Sequence, residues 1–445
     1  MSEKTFYIET LGCQMNKADS EKISGILGTL DYTEVSSKEE ASMLIMNTCS
    51  IRAMSENKAF SHLGLWKKLK KKNPAVKIIM CGCIAQQTKE KIFHRAPQVD
   101  LIFGTQNICE LPDLLKKLET EKKVCSILQK PLPLEDDYTP VRQKGLTAWL
   151  PIIEGCDYFC TYCVVPYTRG RQRSRLPEDI IKEAKQIAAE GYREIILLGQ
   201  TVDSYGNDID DENINLSNLL KELDNIEEVY RIRFVTSHPA DITDELIRAV
   251  RDVDKVCEFF HLPMQSGSSE ILKKMRRPYT REEYLELVRK IRQEMPLAGL
   301  TSDFIAGFPG ETDEQFDETL SLLDEVLFDH CNTAAYSPRK QTPAATWENQ
   351  VPAEEKKKRI NILNEKVRQT VKKSHEKFIG ETIEVLVEGF NEEDGRLKAQ
   401  ARSSKIVHFK GDKSLIGSLV DVKITDCSIW ALIGEMVYNS SIVNL

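Results

Sequence analysis

The 445-residue chain lacks any apolar run approaching the roughly 20 residues that span a bilayer. Its first eight residues also lack the hydrophobic region of a signal peptide. We therefore expect a protein without a membrane anchor that acts in the cytoplasm, where thiols stay reduced. The chain also has no excess of positive charge, since its net charge is −8. Nucleic-acid binding would thus require that the positive charge be clustered.

Length and composition indicate a globular protein of several domains. The chain is longer than one hydrophobic core usually supports, so two or three domains are expected. Hydrophobic residues make up 41% and charged residues 29% of it, as in ordinary globular proteins. Twelve cysteines in a reducing compartment favour metal ligation over disulfide bonds.

Cys156, Cys160 and Cys163 form a tight group that has no fourth cysteine beside it. Gaps of three and two residues place three thiols on one short loop, which can hold three irons of a four-iron cluster. Such clusters are normally closed by four thiolates, so one iron would be left open to bind a substrate. A zinc loop and three unrelated buried thiols are the alternatives.

The N-terminal region, residues 1–130, is predicted to be a doubly wound α/β domain. Apolar runs at 6–8, 43–46, 78–80 and 101–103 read as buried parallel strands with crossover helices between them. Cys13, Cys49 and Cys83 each follow one of these strands, and the loops at that edge of a parallel sheet converge. A second three-cysteine site is therefore expected, with separate structural cysteines as the alternative. Cys81 lies within a strand and is expected in the core.

A second β/α alternation follows a proline-rich, charged linker at residues 131–145. Six apolar runs between residues 148 and 336 predict a partial (β/α)6 barrel over residues 146–375. Active sites of such barrels lie at the carboxyl ends of the strands. The polar residues at these ends are Gln200, Ser237, His238, His261, Gln265, Asp303, Tyr336 and Arg339.

The last part of the chain changes character. Residues 353–377 read as a basic helix, and residues 376–440 read as a small antiparallel β-barrel with short strands and glycine turns. Residues 378–439 carry seven basic and ten acidic side chains, a net charge of −3. Phosphate contacts are therefore expected from the basic helix, from the lysines of 67–72 and from the arginines of 169–175.

These motifs resemble the methylthiotransferase family of radical S-adenosylmethionine (SAM) enzymes over essentially the whole chain. The matching segments are residues 9–16, 82–83, 156–170, 198–200, 236–239, 261–267 and 307–312. The C-terminal β module resembles the RNA-binding TRAM domain. Residues 12–16 and 162–170 are most similar to the branch that adds a methylthio group to C2 of N6-isopentenyladenosine at position 37 of tRNA.

The resemblance implies two [4Fe-4S] clusters and SAM. Cys156, Cys160 and Cys163 would hold the cluster that chelates SAM and passes it one electron, and Tyr162 would lie near the SAM adenine. Further SAM contacts are expected from Gln200, Ser237 and His261. An auxiliary cluster, which would carry the sulfur to be methylated and transferred, is implied on three more residues: Cys13, Cys49 and Cys83.

The implied partners are the tRNA anticodon stem-loop and a flavodoxin-like electron donor, with the sulfur donor open and a monomer expected. One departure concerns the family's usual Arg-Pro-Gly-Thr-Pro, which reads Arg-Lys-Gln-Thr-Pro at 339–343. Three alternatives stay open: a methylthiotransferase acting on a ribosomal protein, one acting on threonylcarbamoyl-adenosine in tRNA, and a non-catalytic iron–sulfur protein that binds RNA or senses redox state.

Overall fold

The computed structural model describes residues 4–50, 53–128 and 138–437. Residues 131–137 of the linker predicted at 131–145 thus lie outside the described residues. Among the described residues, no helix has the length and apolar character needed to cross a membrane.

The N-terminal domain is a parallel sheet covered by helices on both faces, as predicted. Its strands, in the spatial order β2-β1-β3-β4-β5-β6, are β1 (Thr5–Leu11), β2 (Thr33–Glu34), β3 (Met43–Thr48), β4 (Lys77–Gly82), β5 (Leu101–Phe103) and β6 (Val124–Ser126). Its helices are α1 (Gln14–Gly28), α2 (Ala53–Lys72), α3 (Cys83–Thr88), α4 (Lys91–Arg95) and α5 (Leu111–Thr120). The four predicted strands are confirmed, whereas the short edge strands β2 and β6 lack a recognisable apolar run.

Alternation along the strands gives this sheet two cores. Leu44 and Met46 of β3 pack into the core on one face, and Met43 and Ile45 pack into the other. Cys81 is buried in the second core, as predicted. Because both faces are covered, the functional loops are confined to the carboxyl edge of the sheet.

The central domain is an open, partial barrel of six parallel strands. They are β7 (Thr147–Pro151), β10 (Glu194–Leu198), β11 (Arg231–Phe234), β12 (Phe259–His261), β13 (Gly299–Ala306) and β14 (His330–Ala335). The first three and the last three each form a continuous sheet, and one parallel bridge between Ile232 and Val256 joins them. The predicted partial (β/α)6 barrel is confirmed.

A hairpin and six outer helices complete the central domain. The hairpin strands are β8 (Ile153–Glu154) and β9 (Arg173–Ser174), and the short helix α6 (Val165–Thr168) lies between them. The outer helices are α7 (Pro177–Ala189), α8 (Leu216–Leu223), α9 (Asp244–Asp252), α10 (Ser269–Lys274), α11 (Arg281–Glu294) and α12 (Asp313–Val326). Capping boxes at Thr280 and Thr312 fix the starts of α11 and α12.

The basic helix is α13 (Ala353–Glu376), and it leads into a closed five-stranded barrel. The strands are β15 (Thr382–Asn391), β16 (Arg396–Ala401), β17 (Ile406–Phe409), β18 (Leu419–Cys427) and β19 (Leu432–Met436). The barrel is predominantly antiparallel, as predicted, but β17 and β19 pair in parallel. A closed ring with an odd number of strands cannot alternate direction all the way round, so one parallel pair is unavoidable.

Buried arginines attach the C-terminal barrel to the central domain. Arg231 and Arg233 project from β11 and donate to backbone carbonyls of residues 400–402 in and after β16. In the opposite direction Arg402 donates to Glu258 Oε2 at 2.8 Å. Arg233 also pairs with Glu194, Nε to Oε1 2.6 Å. The β-barrel is thus fixed to the amino-terminal end of the partial barrel, opposite the loops that carry the site.

Candidate active site

Cys13 lies where the first strand of the N-terminal sheet ends and its first helix begins. It is the N-cap residue of α1, and its Sγ donates to Asn16 Oδ1 at 3.3 Å. The buried Asn16 amide donates to Asn47 Oδ1 and to Thr48 O, both at 3.2 Å. Asn47 donates back to Asn16 O at 2.8 Å. These reciprocal bonds fix the Cys13 turn against the end of β3, which leads directly to Cys49.

Cys83 reaches the same place because a glycine precedes it. Gly82 has a φ of +87°, and a Cβ there would lie 2.4 Å from Thr48 O. Only glycine lets β4 end this close to β3, and Cys83 then opens α3. The structure therefore brings the loops of Cys13, Cys49 and Cys83 to one edge of the sheet.

The electrostatics of these three thiols differ. A hydrogen bond from Cys49 lowers the pKa of Cys13 to about 6, whereas burial raises the pKa of Cys83. The positive charge of Arg169, in the central domain, works to lower the pKa of both thiols and so favours their thiolate forms. Its guanidinium is buried and pairs with Asp19 of α1, Nη2 to Oδ2 2.5 Å. The central domain therefore supplies a positive charge to the cysteine site of the N-terminal domain.

The second cysteine set lies on the loop between β8 and β9. Gly155 opens this loop with a φ of +79°, and its N–H donates to Gln200 Oε1 at 2.5 Å. Cys163 N–H donates to Cys160 O at 3.0 Å, which closes the tight turn that carries the last two cysteines. Cys156 and Cys160 are buried, and Cys163 is half-buried.

Burial dominates the electrostatics of this loop. It raises the pKa of Cys156 to about 11 and that of Cys163 to about 12, so at neutral pH both remain thiols. A bound cation would favour their thiolate forms, as metal ligation requires. Within residues 4–50, 53–128 and 138–437, no three His, Cys, Asp or Glu side chains are arranged as a ready metal site. The case for a cluster here therefore rests on the donor set and on the shared loop.

The remaining predicted SAM contacts are placed unevenly. Tyr162 packs edge-on against Phe308, ring centroids 6.4 Å apart. The buried hydroxyl of Ser237 finds no hydrogen-bond partner among the described residues. His261 is engaged elsewhere, since its Nδ1 lies 2.9 Å from Thr301 Oγ1. Ser237 thus has a hydroxyl to offer at its strand end, whereas Gln200 already accepts the Gly155 N–H through Oε1 and His261 is bonded through Nδ1.

A largely buried polar group lies beside the cysteine loop, and His238 is the one member of it that was expected from the sequence. The Tyr158 ring stacks on His238 with centroids 3.6 Å apart, and its hydroxyl donates to Asp241 Oδ1 at 2.5 Å. Asp203 accepts the His238 backbone N–H at 2.7 Å. Burial lowers the pKa of His238 to about 2 and raises the pKa values of Asp203 and Asp241. Both carboxyl groups lie in 3-10 turns without a motif, so only the fold reveals them.

A cavity of about 160 Å³ lies between the two domains and reaches Cys13 and Cys83 of the first cysteine set, together with the residues that follow Cys163. The N-terminal domain lines it with Cys13, Gln14, Met15, Ser50 and Cys83. The central domain lines it with Val164, Val165, Thr168, Arg169, Leu198, Gly199, Gln200, Val235 and Thr236. Val164 directly follows Cys163, so the loop of the second set forms one wall. The lining is mainly apolar.

The loop that departs from the family pattern also approaches this boundary. Gln341 occupies the position of the usual glycine and has a φ of +76°, so the left-handed turn is kept despite the substitution. Gln87 of the N-terminal domain donates to Lys340 O at 3.0 Å. Burial lowers the pKa of Arg339. The arginine lies near Cys49, and the charge of that thiol opposes this effect.

The arginine run 169–175 is mostly unavailable for the phosphate contacts that we expected. Arg169 pairs with Asp19, as above, and Arg175 is buried with Glu183, Nη2 to Oε2 2.8 Å. Arg171 remains 69% exposed. The prediction fails for Arg169 and Arg175 because their side chains are buried against the carboxylates of Asp19 and Glu183.

Comparison with known families divides the chain into three matched segments. Residues 150–323 match the radical SAM superfamily, and residues 376–437 match the TRAM domain. Residues 5–104 match the uncharacterized protein family UPF0004. The radical SAM superfamily implies one [4Fe-4S] cluster and SAM.

Curated relatives match the chain over nearly its full length. A protein of Geobacillus kaustophilus is 48% identical over 445 residues, covering 99% of this chain and 84% of the relative. A protein of Clostridium perfringens is 46% identical over 441 residues, covering 98% of each. Both are named tRNA-2-methylthio-N(6)-dimethylallyladenosine synthase.

Solved structures share the fold at low sequence identity. The radical SAM methyltransferase TsrM of Kitasatospora setae, with cobalamin and a [4Fe-4S] cluster bound, superposes with a TM-score of 0.57 at 12% identity. That match covers 78% of this chain and 74% of TsrM. The cobalamin-dependent radical SAM enzyme OxsB gives a TM-score of 0.52 at 14% identity, covering 82% of this chain and 56% of OxsB.

Proposed function

The chain belongs to the family of radical SAM enzymes named tRNA-2-methylthio-N(6)-dimethylallyladenosine synthase, and we propose that it methylthiolates tRNA. The substrate is N6-isopentenyladenosine (the dimethylallyl form) at position 37, and the methylthio group is added at C2. The observation that carries this proposal is the cavity shared by Cys13 and Cys83 on one side and Val164, Val165 and Gln200 on the other. A transfer between two metal centres requires such a common space.

Two sets of residues are assigned to two [4Fe-4S] clusters in this proposal. Cys156, Cys160 and Cys163 hold the cluster that binds SAM. An auxiliary cluster is assigned to three further residues: Cys13, Cys49 and Cys83. The donor chemistry fits, because each set offers three thiols and leaves one iron open. The lowered pKa of Cys13 favours its thiolate, which a cluster needs, and the charge of Arg169 opposes the burial that raises the pKa of Cys83.

Bound there, the clusters and SAM would supply the radical chemistry that an unactivated C–H bond of adenine needs. The chain's own residues bind and orient. Gln200 and Ser237 would offer polar atoms to SAM at the strand ends, and Tyr162 would pack beside its adenine. His261 would support this wall through Thr301. The apolar walls of the cavity suit an isopentenyl group and exclude water from the reacting atoms.

The other readings are less well supported. A binding protein would have no use for the polar strand ends or for the cavity between the two domains. A ribosomal-protein substrate was favoured only by the acidic C-terminal barrel, and a threonylcarbamoyl-adenosine substrate by no residue of the chain. The names of the full-length relatives support N6-isopentenyladenosine over both.

The proposal extends to domains and partners. We place the domain limits at residues 1–130, 146–375 and 376–440, with 131–145 as linker. The anticodon stem-loop presents unstacked bases that a protein can splay out. A flavodoxin-like reductant supplies the electron, the protein acts as a monomer, and the tRNA substrate places it in the cytoplasm. The sulfur donor is not assigned.

Mass spectrometry of tRNA nucleosides tests the proposal. Reconstituted protein, SAM and dithionite are incubated anaerobically with isopentenylated tRNA. We expect one methylthio group on isopentenyladenosine, abolished by Cys156→Ala and by Cys83→Ala. Cys109→Ala, which changes a half-buried thiol elsewhere in the N-terminal domain, is the matched control and should keep activity. SAM cleavage without modified tRNA would reject the substrate and redirect the assay to ribosomal protein and threonylcarbamoyl-tRNA.

A further inference from the structure

A buried arginine next to the cysteine loop has no role in the proposal above. Arg277 lies between α10 and α11, and its side chain is enclosed by the central domain. Its Nη1 points at Cys160 Sγ, 3.7 Å away. Its Nη2 donates to Pro263 O at 2.9 Å, and its Nε donates to Tyr279 OH at 2.6 Å. All three guanidinium nitrogens are therefore engaged, and the charge has one fixed position.

The surroundings of Arg277 would bear a negative charge if a cluster were bound. Its positive charge acts on Cys156 and Cys163 as well as on Cys160. It also acts on the buried carboxyl group of Asp203. Burying a guanidinium is costly unless anions compensate it. Three thiolates around an iron cluster would provide that compensation at this position.

The neighbouring residue offers a contrast. Arg276 carries the same side chain one position earlier but is exposed to solvent. If the only requirement here were a positive charge at the surface, Arg276 would meet it. The burial of Arg277 and its contact with a cysteine sulfur instead point to the metal site.

We propose that Arg277 is a positioning residue for the cluster on Cys156, Cys160 and Cys163, donating to the Cys160 sulfur and holding a permanent positive charge beside it. This inference rests on the proposed function. Hydrogen bonds to cluster sulfurs and nearby charge are two of the properties that set the reduction potential of an iron–sulfur cluster. One electron enters the cluster from an external reductant, no bond or proton is exchanged, and the extra negative charge of the reduced state is stabilised by Arg277. Arg277 therefore raises the reduced fraction at a given potential.

A redox titration followed by electron paramagnetic resonance tests this inference without any tRNA. The full-length chain is used with Cys13, Cys49 and Cys83 replaced by alanine, so that only the SAM-binding cluster contributes signal. Iron analysis comes first, and about four irons per chain would show that the cluster assignment holds. Absence of iron would count against that assignment, and hence against this inference too.

In that triple-alanine background, Arg277→Gln is expected to lower the ratio of reduced to oxidised cluster about tenfold at a fixed potential. For a one-electron couple this corresponds to a reduction potential lower by about 59 mV. Arg277→Lys keeps the charge but loses the directed hydrogen bonds, so its shift should be smaller. Arg276→Gln, the matched surface control, should leave the potential unchanged.

Equal potentials for Arg277→Gln and Arg276→Gln would overturn the inference and leave Arg277 a purely structural link between loops. If Arg277→Gln does not retain iron, the decisive pair is Arg277→Lys against Arg276→Lys. A lower reduced fraction in the first supports the inference, and equal fractions reject it. Failure of the tRNA assay alone would not alter these potentials, so the two tests fail independently.

Discussion

Replacing Arg233 by methionine should expose how strongly the C-terminal barrel is tied to the central domain. Arg233 and Glu194 are 2% and 1% exposed, and Nε lies 2.6 Å from Oε1. The same guanidinium donates to the carbonyl oxygens of Arg402 and Ala401 at 2.6 and 2.8 Å. Removing it leaves a carboxylate buried without its partner and takes a donor from each of two carbonyl groups.

Breaking one side of a buried ion pair costs about 3–5 kcal/mol, and a carbonyl left unsatisfied adds about 1–3 kcal/mol. Partial relaxation reduces this sum, so we expect Arg233→Met to lower the free energy of unfolding by roughly 4 kcal/mol. Adding Glu194→Gln should recover at least about half of that loss, because the orphaned charge is removed. The Gln amide oxygen can still accept from Thr147, which bonds Glu194 Oε2 at 2.9 Å.

Urea unfolding, with hydrogen exchange over residues 399–405, measures both effects. Arg251→Met serves as the control, because Arg251 forms only surface ion pairs, and should not change the urea midpoint measurably. The reasoning is refuted if Arg233→Met costs less than about 1 kcal/mol. It is also refuted if the double variant is no more stable than the single one.

Three further predictions concern other regions. Burial raises the pKa of Glu21 from 4.5 to about 7, so its neutral form stabilises the fold fully below pH ~4.5 and this contribution is lost as pH rises through ~7. Glu21→Gln should remove that part of the pH dependence of the urea midpoint, and an unchanged slope would contradict the assignment. Gly82→Ala should lower the iron content from about eight to about four per chain, because its Cβ would lie 2.4 Å from Thr48 O. The control Gly191→Ala, where a Cβ meets open space, should keep the full iron content. Trp430 is 70% exposed on the C-terminal barrel and is expected to stack on an unpaired base of the tRNA. Trp430→Ala should therefore weaken tRNA binding by about 1–3 kcal/mol. An unchanged Kd would exclude that contact.

An element of the fold could be predicted from the sequence where its local pattern of apolar residues was strong. Buried parallel strands such as β3, where every residue is apolar or packed, were recognisable as continuous apolar runs. The two-residue strand β2 is exposed and has no such run. The parallel pairing of β17 with β19 depends on closing the barrel, a global requirement that no local pattern contains.

The candidate site was predictable where cysteine spacing or strand ends marked it. Cys156, Cys160 and Cys163 are close in sequence, and Cys13, Cys49 and Cys83 follow strands of one sheet, so topology alone brings each set together. Arg277 and Asp203 could not be found in this way. Their positions depend on which side chains meet after packing, and arginines and aspartates are usually surface residues.

The two cysteine sets differ in how much of the chain must be in place before iron can bind. Cys156, Cys160 and Cys163 lie within eight consecutive residues, so a nascent or unfolded chain already offers all three thiols to a metal. Cys13, Cys49 and Cys83 are separated by crossover helices and meet only once β1, β3 and β4 are paired. Loading of the auxiliary cluster that we propose there would therefore be coupled to folding of the N-terminal sheet. In the proposed assignment, damage to that sheet would therefore remove the auxiliary centre while leaving the three thiols of the loop in place.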